Sequence, residues 1–201
     1  MTTEKSLIDS AIRGWKSNVE RAEKLFGDLS PGELEQEVAP EKNRLIYLWG
    51  HLAASSDRLL PLLGIGERLH PEFDAMFISN PDKSVPLTVS EQSLKAAWQE
   101  INQKLWEGFS EFSGSDWAQR HTAVSEQDFE KEPHRSRFGV LLGRTAHLAY
   151  HLGQATLARP KCRCCKNRAR LQQSDANQST SQSSISSSMG NAMTPMERFT
   201  A

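Results

Sequence analysis

Arg144-Thr145-Ala146-His147-Leu148-Ala149-Tyr150-His151-Leu152-Gly153-Gln154 lies inside an apolar, proline-free stretch that runs from about Ser136 to Ala158 and stops before Pro160. Projected at 100° per residue, Phe138, Leu141, Leu142, Thr145, Leu148, Ala149, Leu152, Ala155 and Thr156 share one face, the pattern of a core-facing helix. Val140, His147, Tyr150, His151 and Gln154 fall opposite, with Arg144 at the edge, and Arg144 is the only charge between Phe138 and Ala158. A solvated face is normally rich in Lys and Glu; this one is polar but nearly uncharged, which suits the wall of a site. Gly139, Gly143 and Gly153 each cost roughly 1 kcal/mol against Ala in a helix, and three of them predict close approach of a neighbouring element.

His147 and His151 stand one turn apart, where side chains face the same way. A third histidine, His51, lies in a second apolar segment, Leu45-Ile46-Tyr47-Leu48-Trp49-Gly50-His51-Leu52-Ala53. A neutral imidazole buried there needs a partner, since an unsatisfied buried polar group costs about 1–3 kcal/mol. One metal ion would satisfy all three rings and keep a coordination position open; the competing reading is ordinary packing histidines satisfied by hydrogen bonds. His70, His121 and His134 fall in connections beside polar or proline residues, with His121 and His134 the alternatives able to reach the mouth of such a site. No glutamate follows His147 as in zinc proteases. The only Glu-x-x-His spacing, Glu67 to His70, is in a loop, so a di-iron carboxylate site does not fit.

Three further helices are predicted. The first, about Glu4 to Leu29, repeats Leu7, Ile8, Ala11, Ile12, Trp15, Val19, Ala22, Leu25 and Phe26 at spacings of three and four. Ser30 before Pro31 then suits the cap of a short turn. The second runs from about Glu41 to Leu63, with Pro61 bending or ending it. The third begins near Thr88, in capping-box spacing with Glu91, and ends at Ser113-Gly114-Ser115. No strand pattern of convincing length occurs, so the expectation is an all-α four-helix bundle. Long connections follow helices two (residues 64–87) and three (residues 116–135); the first is a candidate lid or substrate-facing segment, and Trp117 and Phe129 of the second are expected to pack.

The chain of 201 residues has a formal net charge of -1, but beyond Ala158 it carries seven basic and two acidic residues, leaving -6 on residues 1–158. An acidic body argues against nucleic acid as its partner. From Leu171 the sequence is Ser/Gln-rich, giving expected units of 1–160, the bundle, and 161–201, a low-complexity disordered tail. All three cysteines (Cys162, Cys164, Cys165) fall in that tail and, without a fourth ligand, make a weak zinc motif. The N-terminal residues show no basic region followed by an apolar run, and no stretch approaches the roughly 18–20 apolar residues of a membrane span. A soluble, cytoplasmic protein without a membrane partner is expected.

The segment Trp49-Gly50-His51-Leu52-Ala53, together with Arg144 to Gln154, resembles the DinB/YfiT-like superfamily over about residues 5–159. The resemblance implies a bundle of up-down-down-up type, a zinc or nickel ion held by His51, His147 and His151, and a homodimer. Some members are thiol-dependent S-transferases or isomerases using bacillithiol, mycothiol or glutathione, and others are labelled metal-dependent hydrolases. The tail beyond Pro160 matches nothing in that family.

An open position on a three-histidine ion lowers the pKa of a bound water to about 7 or takes a thiol as thiolate, giving a nucleophile at neutral pH. The expected function is a metal-dependent enzyme acting on a small molecule, a thiol-dependent transferase before a hydrolase, with Arg144, Tyr150 and Gln154 as supporting or substrate-contacting residues. The alternative is a non-catalytic metal- or small-molecule-binding stress-response bundle, because the sequence offers no obvious general base.

Overall fold

The structure, a computed structural model, describes residues 3–158, and every named element among them is helical. In chain order these are α1 (Thr3–Gly27), α2 (Pro31–Leu34), α3 (Leu45–Asp57), α4 (Leu59–Leu63), α5 (Phe73–Phe77), α6 (Glu91–Glu111), α7 (Gly114–Ala118), α8 (Glu126–Lys131) and α9 (Arg137–Ala158). The described residues contain no strand, only the isolated bridges Glu37–Arg44 and Arg120–Ser136. The expected tail, its boundary at residue 160 and its three cysteines lie outside the described residues.

Helix α1 buries Trp15, Val19, Ala22, Leu25 and Phe26 and packs against α9 and α6. Helix α3 packs against α5, α6 and α9. It is buried on nearly every side: of its 13 residues only His51 and Ser56 are less than fully covered. A helix apolar all round belongs at the centre of a fold, and α3 occupies that place. Aromatic side chains fill the space around it. Phe26 stacks on Trp49 at 5.5 Å, and Phe109 meets Trp15 and Trp117 edge-on at 4.8 and 5.2 Å.

Several boundaries differ from the sequence expectation for local reasons. The second helix starts at Leu45 and is broken at Arg58, three residues before Pro61. Pro61 has no N–H for the carbonyl four residues back, and its ring crowds that turn. The third helix is capped by Ser90, which accepts from the Ser93 N–H at 3.0 Å. Thr88 instead donates its hydroxyl to Met76 Sδ, so the Thr88–Glu91 capping box does not form. Ser30 does cap α2, in a capping box with Glu33. Trp117 packs as expected, 1% exposed, whereas Phe129 is half-buried.

The connection of residues 64–87 is not a free lid. It carries α5, whose Phe73, Met76 and Phe77 are buried, and it is tied to both ends of α3. At the C-terminal end, Asp57, with no solvent exposure, accepts from Arg68 Nε at 2.9 Å and from the Leu69 and His70 N–H groups at 2.8 and 3.1 Å. Asp74 takes two donors from Arg68 and two from Arg58, and these guanidinium hydrogen bonds, Arg68 first, hold its pKa down to about 2. At the N-terminal end, Asp82 accepts from the Arg44 N–H at 2.7 Å and from the Arg44 guanidinium. Between the clamps, Tyr47 donates to the Asn80 carbonyl at 2.8 Å.

Replacing Asp57 by Ala takes the acceptor from two backbone N–H groups and one arm of Arg68. We expect a loss of roughly 2–4 kcal/mol in denaturant unfolding, against less than about 1 kcal/mol for breaking the exposed Lys5–Asp9 pair.

Candidate metal centre

α3 and α9 pack together, and at their contact the three histidines meet. The Nε2 atom of His147 is 3.2 Å from Nε2 of His51 and 3.2 Å from Nε2 of His151. Their ligand atoms all lie within 4.8 Å of one another, and all three residues are partly buried. Neither His121 nor His134 joins them. The Ala123 N–H donates to His121 Nδ1, and His70 sits between Glu72 and Glu100, stacked on Phe73.

The hydrogen bonds behind the rings set their tautomers. His51 Nδ1 is 2.9 Å from the Phe77 carbonyl, which can only accept, so the proton of His51 is on Nδ1 and its Nε2 presents a lone pair. His151 Nδ1 donates to Gln154 Oε1 at 2.8 Å, with the same consequence. Two lone pairs therefore point at His147 Nε2, which carries one proton at most. Turning the Gln154 amide over does not help, because one of the two 3.2 Å contacts still lacks a proton between its nitrogens. A cation between the three nitrogens removes the deficit. Zinc–nitrogen bonds of about 2.0–2.1 Å in a tetrahedron put ligand nitrogens roughly 3.3 Å apart, close to both contacts made by His147. The residues present therefore suit a divalent ion, and the outward donation from Nδ1 to a carbonyl or amide is the arrangement that orients ligating histidines.

Burial favours the neutral form of the two histidines on α9. Burial, then the charges of His151, His51 and Arg144, lower the pKa of His147 to about 4. Burial also lowers that of His151, against the opposing hydrogen bond that its ring donates to Gln154. Ligation requires unprotonated imidazole, and His147 and His151 meet that requirement at neutral pH.

The other anticipated residues divide. Gln154 contacts His151 and also lines an open groove of about 310 Å³ with Val38, Ala39, Lys42, Asn43, Leu48 and Leu157. Tyr150 is 64% exposed, its ring edge-on to His151 at 5.1 Å. Arg144 is partly buried, and its charge acts on His147. The face assignment of α9 needs rotation: Leu141, Leu148, Leu152 and Ala155 are buried, but Leu142 and Ala149 are exposed. Of the three glycines, only Gly139 meets a close neighbour, the His134 carbonyl; a Cβ on Gly143 or Gly153 would meet nothing within 4 Å.

Two residues of the site escaped the sequence reading. Phe77 supplies the acceptor for His51, and Gly50 allows it to do so: a Cβ at Gly50 would lie 2.2 Å from the Phe77 ring. The available signal was a glycine inside an otherwise bulky helix, directly before the histidine.

Gly50→Ala must displace the Phe77 ring and with it the carbonyl that orients His51. We expect roughly 10–100-fold weaker metal affinity, read by competition with a chromophoric chelator. A second expectation concerns pH. Because His147 in the fold titrates near 4 rather than 6.5, the unfolded chain binds more protons between those values. Stability of the metal-free protein is therefore complete above about pH 6.5 and declines as pH falls towards 4. His147→Phe should flatten that decline in thermal melts, most clearly between pH 6.5 and 5, above the range of the carboxylates.

No protein-family profile matches the chain, and no curated protein matches it. Among solved structures, it is similar to the crystal structure of a conserved protein from Enterococcus faecalis, with a TM-score of 0.56 and 16% identity over 79% of this chain and 96% of that one. At that identity the likeness shows a shared helical fold.

Proposed function

We propose that the chain is a metal-dependent enzyme of the DinB/YfiT-like kind, a four-helix bundle built on α1, α3, α6 and α9, in which His51, His147 and His151 hold a divalent cation, zinc or nickel. Its reaction is transfer of a low-molecular-weight thiol to a small electrophile, with hydrolysis as the related chemistry. The observation that carries the reading is the set of three Nε2 atoms, from two helices, turned inward with too few protons to satisfy one another. Such an ion supplies a Lewis acid that makes a thiol or water acidic at neutral pH. The chain's own residues do the rest. Phe77 and Gln154 fix the rings, the surrounding apolar helices limit water, and uncharged ligands leave the ion's full charge for its substrate.

A non-catalytic binding bundle is the second reading. It is favoured by one feature: among the described residues no carboxylate hydrogen-bonds to any of the three rings, so no general base is in place. For partners we propose a small molecule and a second copy of the chain, not nucleic acid or membrane. The acidic body and the exposed Leu142, Tyr150 and Leu157 of α9 support this. Among the described residues no helix is long and apolar enough to cross a membrane, and we place the protein in the cytoplasm.

Elemental analysis of the purified protein should find about one divalent ion per chain, lost in His51→Ala. Full retention in that variant would remove His51 from the site. With metal bound, consumption of thiol alongside monobromobimane, faster than ester or amide hydrolysis, would identify the transferase; failure of both assays would favour the binding bundle.

A further inference from the structure

We infer that Arg144 anchors an oxyanion, a carboxylate above all, on the small molecule that reacts at the three-histidine site; the inference rests on the metal-site reading above. Arg144 precedes His147 by three residues and His151 by seven, spacings that place it on the ligand-bearing side of α9. Three residues of helix displace it about 4.5 Å along the axis from His147, well within the reach of an arginine side chain.

The charges around it are arranged to leave it unanswered. α9 contains no acidic residue, and no hydrogen bond or ion pair engages Arg144 among the described residues. α3–α4 and α9 run in opposite directions. Arg137, at the start of α9, approaches Gly64 just past α4, while Gln154 and Leu157, near its end, share a groove with Asn43 and Leu48. Arg58, seven residues after His51, therefore lies towards the same end of the cluster as Arg144, and its charge disfavours that of Arg144. The carboxylate beside Arg58, Asp74, is already shared between Arg58 and Arg68. A partly buried guanidinium stays charged, and beside a divalent ion it is costly unless an anion joins them. Its planar fork matches the two oxygens of a carboxylate. With a metal held by the three histidines, the reacting group would bind there while a carboxylate a few bonds away pairs with Arg144.

The test uses the full chain loaded with cobalt(II), whose visible bands report the site before any thiol is added. Titration with 3-mercaptopropionate and with its neutral counterpart 3-mercaptopropionamide is followed by sulfur-to-cobalt charge transfer. The wild type should prefer the carboxylate roughly 10-fold or more. Arg144→Gln should lose the preference while binding as much cobalt, and Arg144→Lys should keep part of it. Normal cobalt bands with no carboxylate preference in the wild type, binding of neither thiol included, overturn the inference alone. So does a preference that survives in Arg144→Gln. Absence of the cobalt bands overturns the metal-site reading and this inference with it.

Discussion

The hydrogen bond from His51 Nδ1 to the Phe77 carbonyl depends on most of the structure and determines most of the site. It exists because residues 64–87 are drawn along α3 and fastened at each end, by Asp57 and Asp74 on one side and Asp82 on the other. It also needs Gly50, since any larger residue would collide with the Phe77 ring. With that proton committed outward, the inward nitrogen of His51 can only be an electron-pair donor. The charged network around α5 is thus linked to the histidine cluster through one carbonyl, although none of its members hydrogen-bonds to the histidines.

Helix identity and the histidine cluster were legible in the sequence because both follow from spacing. His147 and His151 share a turn of any α-helix, and the dense apolar run around His51 marks a central helix whose one imidazole needs a partner. What spacing does not reveal is rotation. Leu142 and Ala149 fit the apolar stripe of α9 on a helical wheel, yet the neighbouring helices cover the arc centred on Leu141, Leu148 and Leu152. Nor was the strap legible. Its glycines and prolines read as a loop, whereas it is held by Asp–Arg pairs separated by as many as 38 residues, such as Arg44 with Asp82. Such pairings leave no periodic trace.

Burial and charge act in one direction at His147. Enclosure disfavours imidazolium, the neighbouring rings disfavour it further, and the cation of Arg144 adds to both. The result is a group of electron-pair donors in a locally positive setting without a carboxylate among its ligands. Such a setting suits a metal ion that tolerates neutral ligands. The exposed outer side of α9 is apolar and uncharged, so these charges are concentrated towards the interior.

His51 and His147 are 96 positions apart along the chain. An ion gripping both acts as a cross-link that closes a ring containing α4 through α8, and ring closure of that size removes appreciable freedom from the unfolded chain. Under the proposed metal reading, loading the site would be an event in folding as well. Two of the ligands are pre-set within a single turn of α9, but the third arrives only when α3 has docked. An ion held there would favour the completed fold over its fragments, so scarcity of the metal would tell first on how long the protein persists.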